Sequence, residues 1–219
     1  VNDFKSIKDE LQFIISGEGN ASQKNTIKAA QTYLKNSKSS GSQIKGRELS
    51  RAEEERALIV FARENNLLIN GDSPGTYIAE GAEQKVFFEE EEACVYKKAD
   101  AVFYISWFDY LNNLLLHNYF FPDTAYSLIG FSLHKQKLFA ILKQPYVTST
   151  EPTNLLTVKE FLIAKGFVNK KNNDYYHPHL GLILEDLHDE NVLTNSGMLF
   201  FVDTVFYLTP EFYMPTPEA

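Results

Sequence analysis

Cysteine is nearly missing from this 219-residue chain. Cys94 stands alone, so no intrachain disulfide and no multi-cysteine metal site can form, and a reducing compartment is expected. No apolar run approaches the roughly 20 residues that cross a bilayer, so membrane partners are not expected. Nor does a basic-then-apolar leader open the chain, and a cytoplasmic location is the expectation. Because the first residue is Val1 and not Met, the chain is expected to be a piece of a longer protein. Positive charge is short overall: 21 Lys and Arg face 29 Asp and Glu, a formal net charge of -8. The deficit is uneven. Residues 1–60 carry ten Lys/Arg and eight Asp/Glu, whereas residues 61–219 carry eleven and twenty-one. Phosphate backbones are bound by clustered Lys and Arg, so nucleic acid is an unlikely partner for this acidic body.

What is present argues for a folded core: 44% hydrophobic and 14% aromatic residues, enough for one sizeable domain or a smaller core with an appendage. Helical spacing dominates the start. Phe4, Ile7, Leu11 and Ile14-Ile15 share one face of a helix closed by Gly17 and Gly19. A second helix is predicted over 21–34, then a flexible Ser, Gly and Lys-rich connection over 36–47. Ser50-Arg-Ala-Glu53 is a capping box opening a third helix through Arg63, with Ala57, Leu58, Val60 and Phe61 as its buried stripe.

From Tyr77 onward short strands are predicted. Residues 76–87 read as strand, Gly81 turn, strand. Glu89–Glu92 reads as a solvated acidic tip, and Cys94–Lys98 as a strand in which Val95 and Lys97 share a face. A helix over 105–121 follows, then a hairpin around His134-Lys-Gln136. A helix over 157–165 is stopped by Gly166. Residues 169–174 read as polar loop. His177 and His179, with no third ligand nearby, read as loop residues and not as a metal site.

The densest chemistry lies in 182–203. The apolar run Leu180–Leu184 ends in a polar turn with Asp186 and, five residues later, Asn191. After the turn signal Asn195-Ser-Gly197, a second apolar run, Met198–Val202, ends in Asp203. The two runs read as a hairpin holding three polar groups near one point. A start at Asp189 would put Thr194 at the fifth position, a poor metal ligand, so spacing selects Asp186. An acidic surface turn is the plainer alternative, since Asp and Asn are common turn formers.

Asp186-Leu-His-Asp-Glu-Asn191 resembles the loop of aminoglycoside-type kinases, and Phe200-Phe-Val-Asp203 resembles their final metal-binding segment. Together with Glu80–Val86, Cys94–Lys97, His117–Pro122, Tyr126–Phe131, Gln144–Val147 and Asp186–Leu193, the text of roughly 53–208 resembles the kinase-like domain of polyvalent proteins from phages and mobile elements. The resemblance implies an α+β, two-lobed kinase-like fold, with an antiparallel-sheet N-lobe and a reduced C-lobe, to which the helical spacing adds an N-terminal helical segment. The corresponding domains are 1–70 (helical, packing on the lobe), 71–147 (N-lobe) and 148–219 (C-lobe). ATP and Mg2+ are the implied cofactors.

The resemblance also implies roles. Asp186 is the catalytic base, Asn191 and Asp203 hold metal, and Lys97 steadies the phosphates. Gly81 lies in the turn over the phosphates, Val86 and Val95 line the base pocket, and Gln144, Pro145, Tyr146 and Val147 form the adenine-binding hinge. In that scheme Pro145 needs only its C=O, which proline retains.

Several positions depart from the pattern. Ala79 and Gln84 replace two glycines of the phosphate turn, and Leu184-Glu185 stands where other kinases have His-Arg. Thr204-Val205 follows Asp203 in place of Phe-Gly, and only sixteen residues follow Asp203. The helix over 105–121 lacks the Glu that would orient Lys97, with Asp109 its one carboxylate. The implied function is transfer of the γ-phosphate of MgATP to a hydroxyl of a protein or small-molecule acceptor. The alternative is a catalytically weak or inactive nucleotide-binding or interaction module.

Overall fold

The computed structural model describes residues 3–16, 25–40, 49–69, 75–81 and 84–215. In chain order the helices are α1 (Phe4–Ser16), α2 (Thr26–Ser40), α3 (Arg51–Glu64), α4 (Trp107–Phe120) and α5 (Leu155–Ala164). The early strands are β1 (Thr76–Glu80), β2 (Gln84–Glu89), β3 (Cys94–Ala99), β4 (Ser127–His134) and β5 (Lys137–Pro145). The later ones are β6 (Val168–Lys171), β7 (Asp174–His177), β8 (Leu182–Glu185), β9 (Val192–Asn195), β10 (Met198–Phe201) and β11 (Val205–Leu208). Helices and antiparallel sheets make this an α+β protein. Among the described residues no helix is long and apolar enough to cross a membrane.

Packing divides the chain into two compact units. One gathers the described residues of 20–115 and 125–146, the other those of 1–19, 116–124 and 147–219. The first unit is built on a five-stranded antiparallel sheet in the order β1-β2-β3-β5-β4. At the central strand β3, Cys94, Val95, Tyr96, Lys97 and Ala99 are all buried, because both of its faces are covered. On one face Cys94, Tyr96 and Ile141 form a cluster with Ile69 and Phe87 against it. β4 and β5 are joined at Lys135 and Gln136, both at positive φ, the two-residue turn whose twist matches a hairpin. Gly130 lets another segment approach: a Cβ there would sit 2.2 Å from the carbonyl oxygen of Leu67, whose segment bonds to Phe131 on both sides.

α3 orders the entry to α4. Ser50 and Glu53 close the expected capping box. At the first residue of the helix, the Arg51 guanidinium donates to the carbonyls of Asp100, Ala101 and Tyr104 at 2.7–2.8 Å. The buried Glu54 carboxylate accepts the Trp107 N–H at 2.7 Å, a negative group at the positive end of α4. The buried stripe of α3 is Glu54, Leu58, Phe61 and Ala62; Val60, expected inside, is exposed. α2 begins later than the spacing suggested and runs on into the Ser and Lys-rich stretch expected to be flexible. Ser37 fits there because its hydroxyl donates back to the Tyr33 carbonyl. Gly17, Gly19 and residues 41–48 lie outside the described residues.

The second unit carries a four-stranded sheet, β11-β8-β7-β6, and the separate hairpin β9-β10. Residues 169–174, read as polar loop, fall within the β6-β7 hairpin. α1 belongs to this unit, whereas α2 and α3 belong to the first. The reason is visible in its bonds. Lys8 and Gln12 donate to the carbonyls of Glu211 and Phe212 in a C-terminal 3-10 turn, and Tyr119 donates to Glu10 at 2.9 Å.

His177 is fully buried in this unit, packed edge-on to Phe4 and Phe167. Its Nε2–H donates to the Lys165 carbonyl and its Nδ1 accepts the Leu180 N–H, so the neutral ring is satisfied on both sides. Burial pushes its pKa down from 6.5 to about 4, with His179 adding to the shift and the Lys165 bond opposing it. The folded state therefore holds this proton less tightly than the unfolded chain. The contribution is fully present above pH 6.5 and is lost as pH falls toward 4. Chemical denaturation across that window should show a loss on the order of 2–3 kcal/mol. His177→Gln, which keeps a donor and an acceptor without the titration, should flatten the slope; an unchanged slope would assign the loss to other groups.

Candidate functional site

Asp203 lies in the loop between β10 and β11, and Asp186 in the loop after β8. The apolar run before Asp186 does not pair with the run before Asp203, contrary to the single hairpin expected. β8 pairs with β7 and β11, while β10 pairs with β9, a strand inside the presumed connection. The turn at Asn195-Ser-Gly197 is nevertheless a hairpin turn, with Ser196 and Gly197 both at positive φ. Its far side is held by Glu151 and Thr150, which accept the N–H groups of Gly197 and Ser196 at 2.8 Å.

Asp186 has φ 65, a conformation that a non-glycine residue adopts at a cost. Asn191 holds it there. The Asn191 side-chain amide donates to the Asp186 backbone carbonyl at 2.8 Å and to its carboxylate Oδ2 at 2.9 Å. The Asn191 backbone carbonyl in turn accepts from Val202 at 2.9 Å and from Asp203 at 3.2 Å. The five-residue spacing thus brings Asp186, Asn191 and the Asp203 backbone together. His188 completes the loop. Its Nδ1 accepts the Glu190 N–H at 3.3 Å, and its Nε2 lies 3.1 Å from the Asn191 amide nitrogen and 3.4 Å from Asp186 Oδ1.

A group that sequence reading missed stands behind Asp203. His117 Nε2 is 3.0 Å from the Thr124 carbonyl, which can only accept, so Nε2 carries the hydrogen. Nδ1 must then accept from the Thr204 hydroxyl, 2.7 Å away. The Thr124 hydroxyl donates to the Phe201 carbonyl at 2.6 Å. All three polar side chains are buried, so the end of β10 and the residue after Asp203 are fixed from inside. A His and two Thr at such separations carry no motif; the sequence reading touched His117 only in the phrase His117–Pro122 and Thr204 only as a departure from Phe-Gly.

Asn191 and Asp203 suit magnesium by their chemistry. With its nitrogen on Asp186, the Asn191 amide directs its hard oxygen to the other side, and Asp203 adds a carboxylate. Among the described residues there is no cluster of three or more His, Cys, Asp or Glu.

In the other unit, strand register sets the remaining candidates. Val86 and Leu142 flank Lys97 across the sheet, and Gln144 lies opposite Val95. Paired residues point to one side and alternate residues return to it. Val86, Val95, Lys97 and Gln144 therefore share one face, opposite the Cys94–Tyr96–Ile141 cluster. Lys97 is 5% exposed, and its ammonium donates to the Tyr126 phenol oxygen at 3.2 Å. Asp109 is engaged elsewhere: it accepts the Ser106 hydroxyl at 2.6 Å and returns its N–H to Ser106, forming the cap of α4.

Gly81 is exposed at the β1-β2 turn, its N–H on the Gln84 carbonyl. The Tyr146 N–H bonds to the Ala93 carbonyl at 3.0 Å. That makes the Cys94–Pro145 pair the non-bonded kind, so proline loses no ladder bond and its carbonyl points away from β3. Val147 is half-buried and belongs to the other unit. Glu92 is not simply a solvated tip. It accepts from Lys143 at 2.8 Å and Tyr96 at 3.0 Å, and these bonds hold its pKa below the usual carboxylate range.

An Asp-x4-Asn loop tied to a following Asp in one unit, and a five-stranded sheet with a buried lysine on its central strand in the other, are features of the kinase-like class. Residues 51–210 match the model of the serine/threonine/tyrosine kinases found in polyvalent proteins. The chain belongs to that family. The match begins at Arg51, the residue that clamps the entry to α4. No curated protein and no solved structure gives a significant match.

The left-handed backbone at Asp186 gives a direct test. Both Asp186→Gly and Asp186→Val lose the carboxylate bond to Asn191, but glycine adopts this φ freely, so Asp186→Gly should melt several degrees above Asp186→Val. If glycine and valine are equally destabilising, the loop conformation is not held as described.

Proposed function

We propose that this protein transfers the γ-phosphate of MgATP to a hydroxyl on a protein or small-molecule acceptor. The observation that carries the reading is the Asn191 clamp, which fixes Asp186 through its amide and the Asp203 backbone through its carbonyl. In this reading Asp186 orients the acceptor hydroxyl and accepts its proton, and Asn191 and Asp203 hold magnesium. The ion, when bound, neutralises phosphate charge. Lys97 contacts the phosphates. Val86 and Val95 line the base, with the segment Gln144–Val147 offering the Pro145 carbonyl and the Val147 N–H to adenine, under the turn at Gly81. This is a two-lobed reading of the fold, and family membership supports it.

The protein's place is taken to be the cytoplasm, within a longer phage or mobile-element protein; its buried free thiol is consistent with a reducing compartment. Nucleotide and an acceptor are the partners, and the acidic body disfavours nucleic acid. One observation favours the alternative, a module that binds nucleotide without turnover. Asp109, the one carboxylate of α4, serves the helix cap, so it does not supply the ion-pair partner that kinases give this lysine.

Calorimetry and turnover separate the two. MgATP should bind and raise the melting temperature by mass action. Asp203→Asn should weaken magnesium-dependent binding. Asp186→Asn should leave binding nearly intact while lowering turnover by about a hundredfold or more. Binding without turnover in the wild type would select the module, and no binding at millimolar MgATP would remove both readings.

A further inference from the structure

The geometry points to Tyr126 as a residue that positions Lys97 through its hydroxyl and its ring; this rests on the nucleotide reading above. Tyr126 precedes β4 by one residue. Leu128, two residues further on, stands in the row Val86–Lys97–Leu142–Leu128 across the sheet. The two-residue period therefore returns Tyr126 to the face that carries Lys97. Two separate contacts join them: the ammonium donates to the phenol oxygen at 3.2 Å, and it lies 5.1 Å from the centre of the ring. Both side chains are buried, each about 5% exposed, which strengthens a cation–ring contact relative to one in water.

The chemistry differs from that of a carboxylate partner. A phenol fixes the ammonium by accepting its hydrogen bond but brings no negative charge of its own. Tyr126 thus contributes to orienting the lysine without adding a negative charge of its own. It also stiffens a long, rotamer-rich side chain, because the ring limits the path of the lysine stem and the oxygen fixes its end. Tyr126 is accordingly a positioning residue that acts through Lys97.

A double-mutant cycle on the full chain tests this, read by calorimetric MgATP affinity for wild type, Tyr126→Phe, Lys97→Ala and the double variant. Melting temperatures establish that each is folded. Tyr126→Phe keeps the ring and removes the acceptor; its affinity should fall on the order of tenfold. In the Lys97→Ala background the same change should add little, since the partner is gone. A second variant, Tyr126→His, keeps a ring and a nitrogen acceptor and should fall between wild type and Tyr126→Phe. Wild type that binds while the two substitutions add in full, or while Tyr126→Phe changes nothing, overturns the role of Tyr126 alone. Wild type that binds no MgATP overturns the nucleotide reading and this role with it.

Discussion

Asn191 is bonded on both of its sides. Its amide nitrogen reaches back to the backbone and carboxylate of Asp186, and its carbonyl reaches forward to the N–H groups of Val202 and Asp203. Neither carboxylate segment is ordered by regular pairing at that point, since Asp186 follows the end of β8 and Asp203 follows the end of β10. A side-chain donor on one side and the backbone carbonyl on the other therefore make Asn191 the joint of the loop. Asp in its place would put a carboxylate against the Asp186 carboxylate and lose the donor. The positive φ of Asp186 persists because these bonds hold it.

The support beneath this loop is polar and buried. His117, Thr124 and Thr204 form a closed chain of hydrogen bonds in which each ring nitrogen and hydroxyl has a defined role. Such a network is costly unless every member is satisfied, and when satisfied it sets one arrangement. Around it Phe121 stacks on Phe201 at 4.1 Å, and Phe120 stacks on Phe206 at 5.3 Å. The aromatic richness of the chain, visible from composition, is thus spent on holding both ends of the Asp203 segment. In the other unit the same economy appears at Arg51 and Glu54, where two charged residues of α3 order the entry to α4.

Local signals read well from the sequence. The Ser50 capping box, the β4-β5 turn and the Asn195-Ser-Gly197 turn need only near neighbours, and each is where the residues place it. Pairing partners did not read well. Leu180–Leu184 and Met198–Val202 look like mates because each is short and apolar, yet alternation says nothing about which strand lies alongside. Val192–Asn195 escaped notice because four residues beside Asp189, Glu190 and Asn191 give too short a period to see. The site was legible as a motif, Asp186, Asn191 and Asp203 by spacing, and Lys97 by its place on a strand. Its supports were not, because His117, Thr124, Thr204 and Tyr126 meet their partners only through tertiary packing.

The most direct measurement is a backbone NMR titration with ADP and manganese in place of magnesium, since the paramagnetic ion broadens nearby amides. The account predicts selective broadening at Asp186, Asn191 and Asp203 and at Val95 and Lys97. Broadening confined to the acidic turn after Glu89, or none at saturating nucleotide, would contradict it.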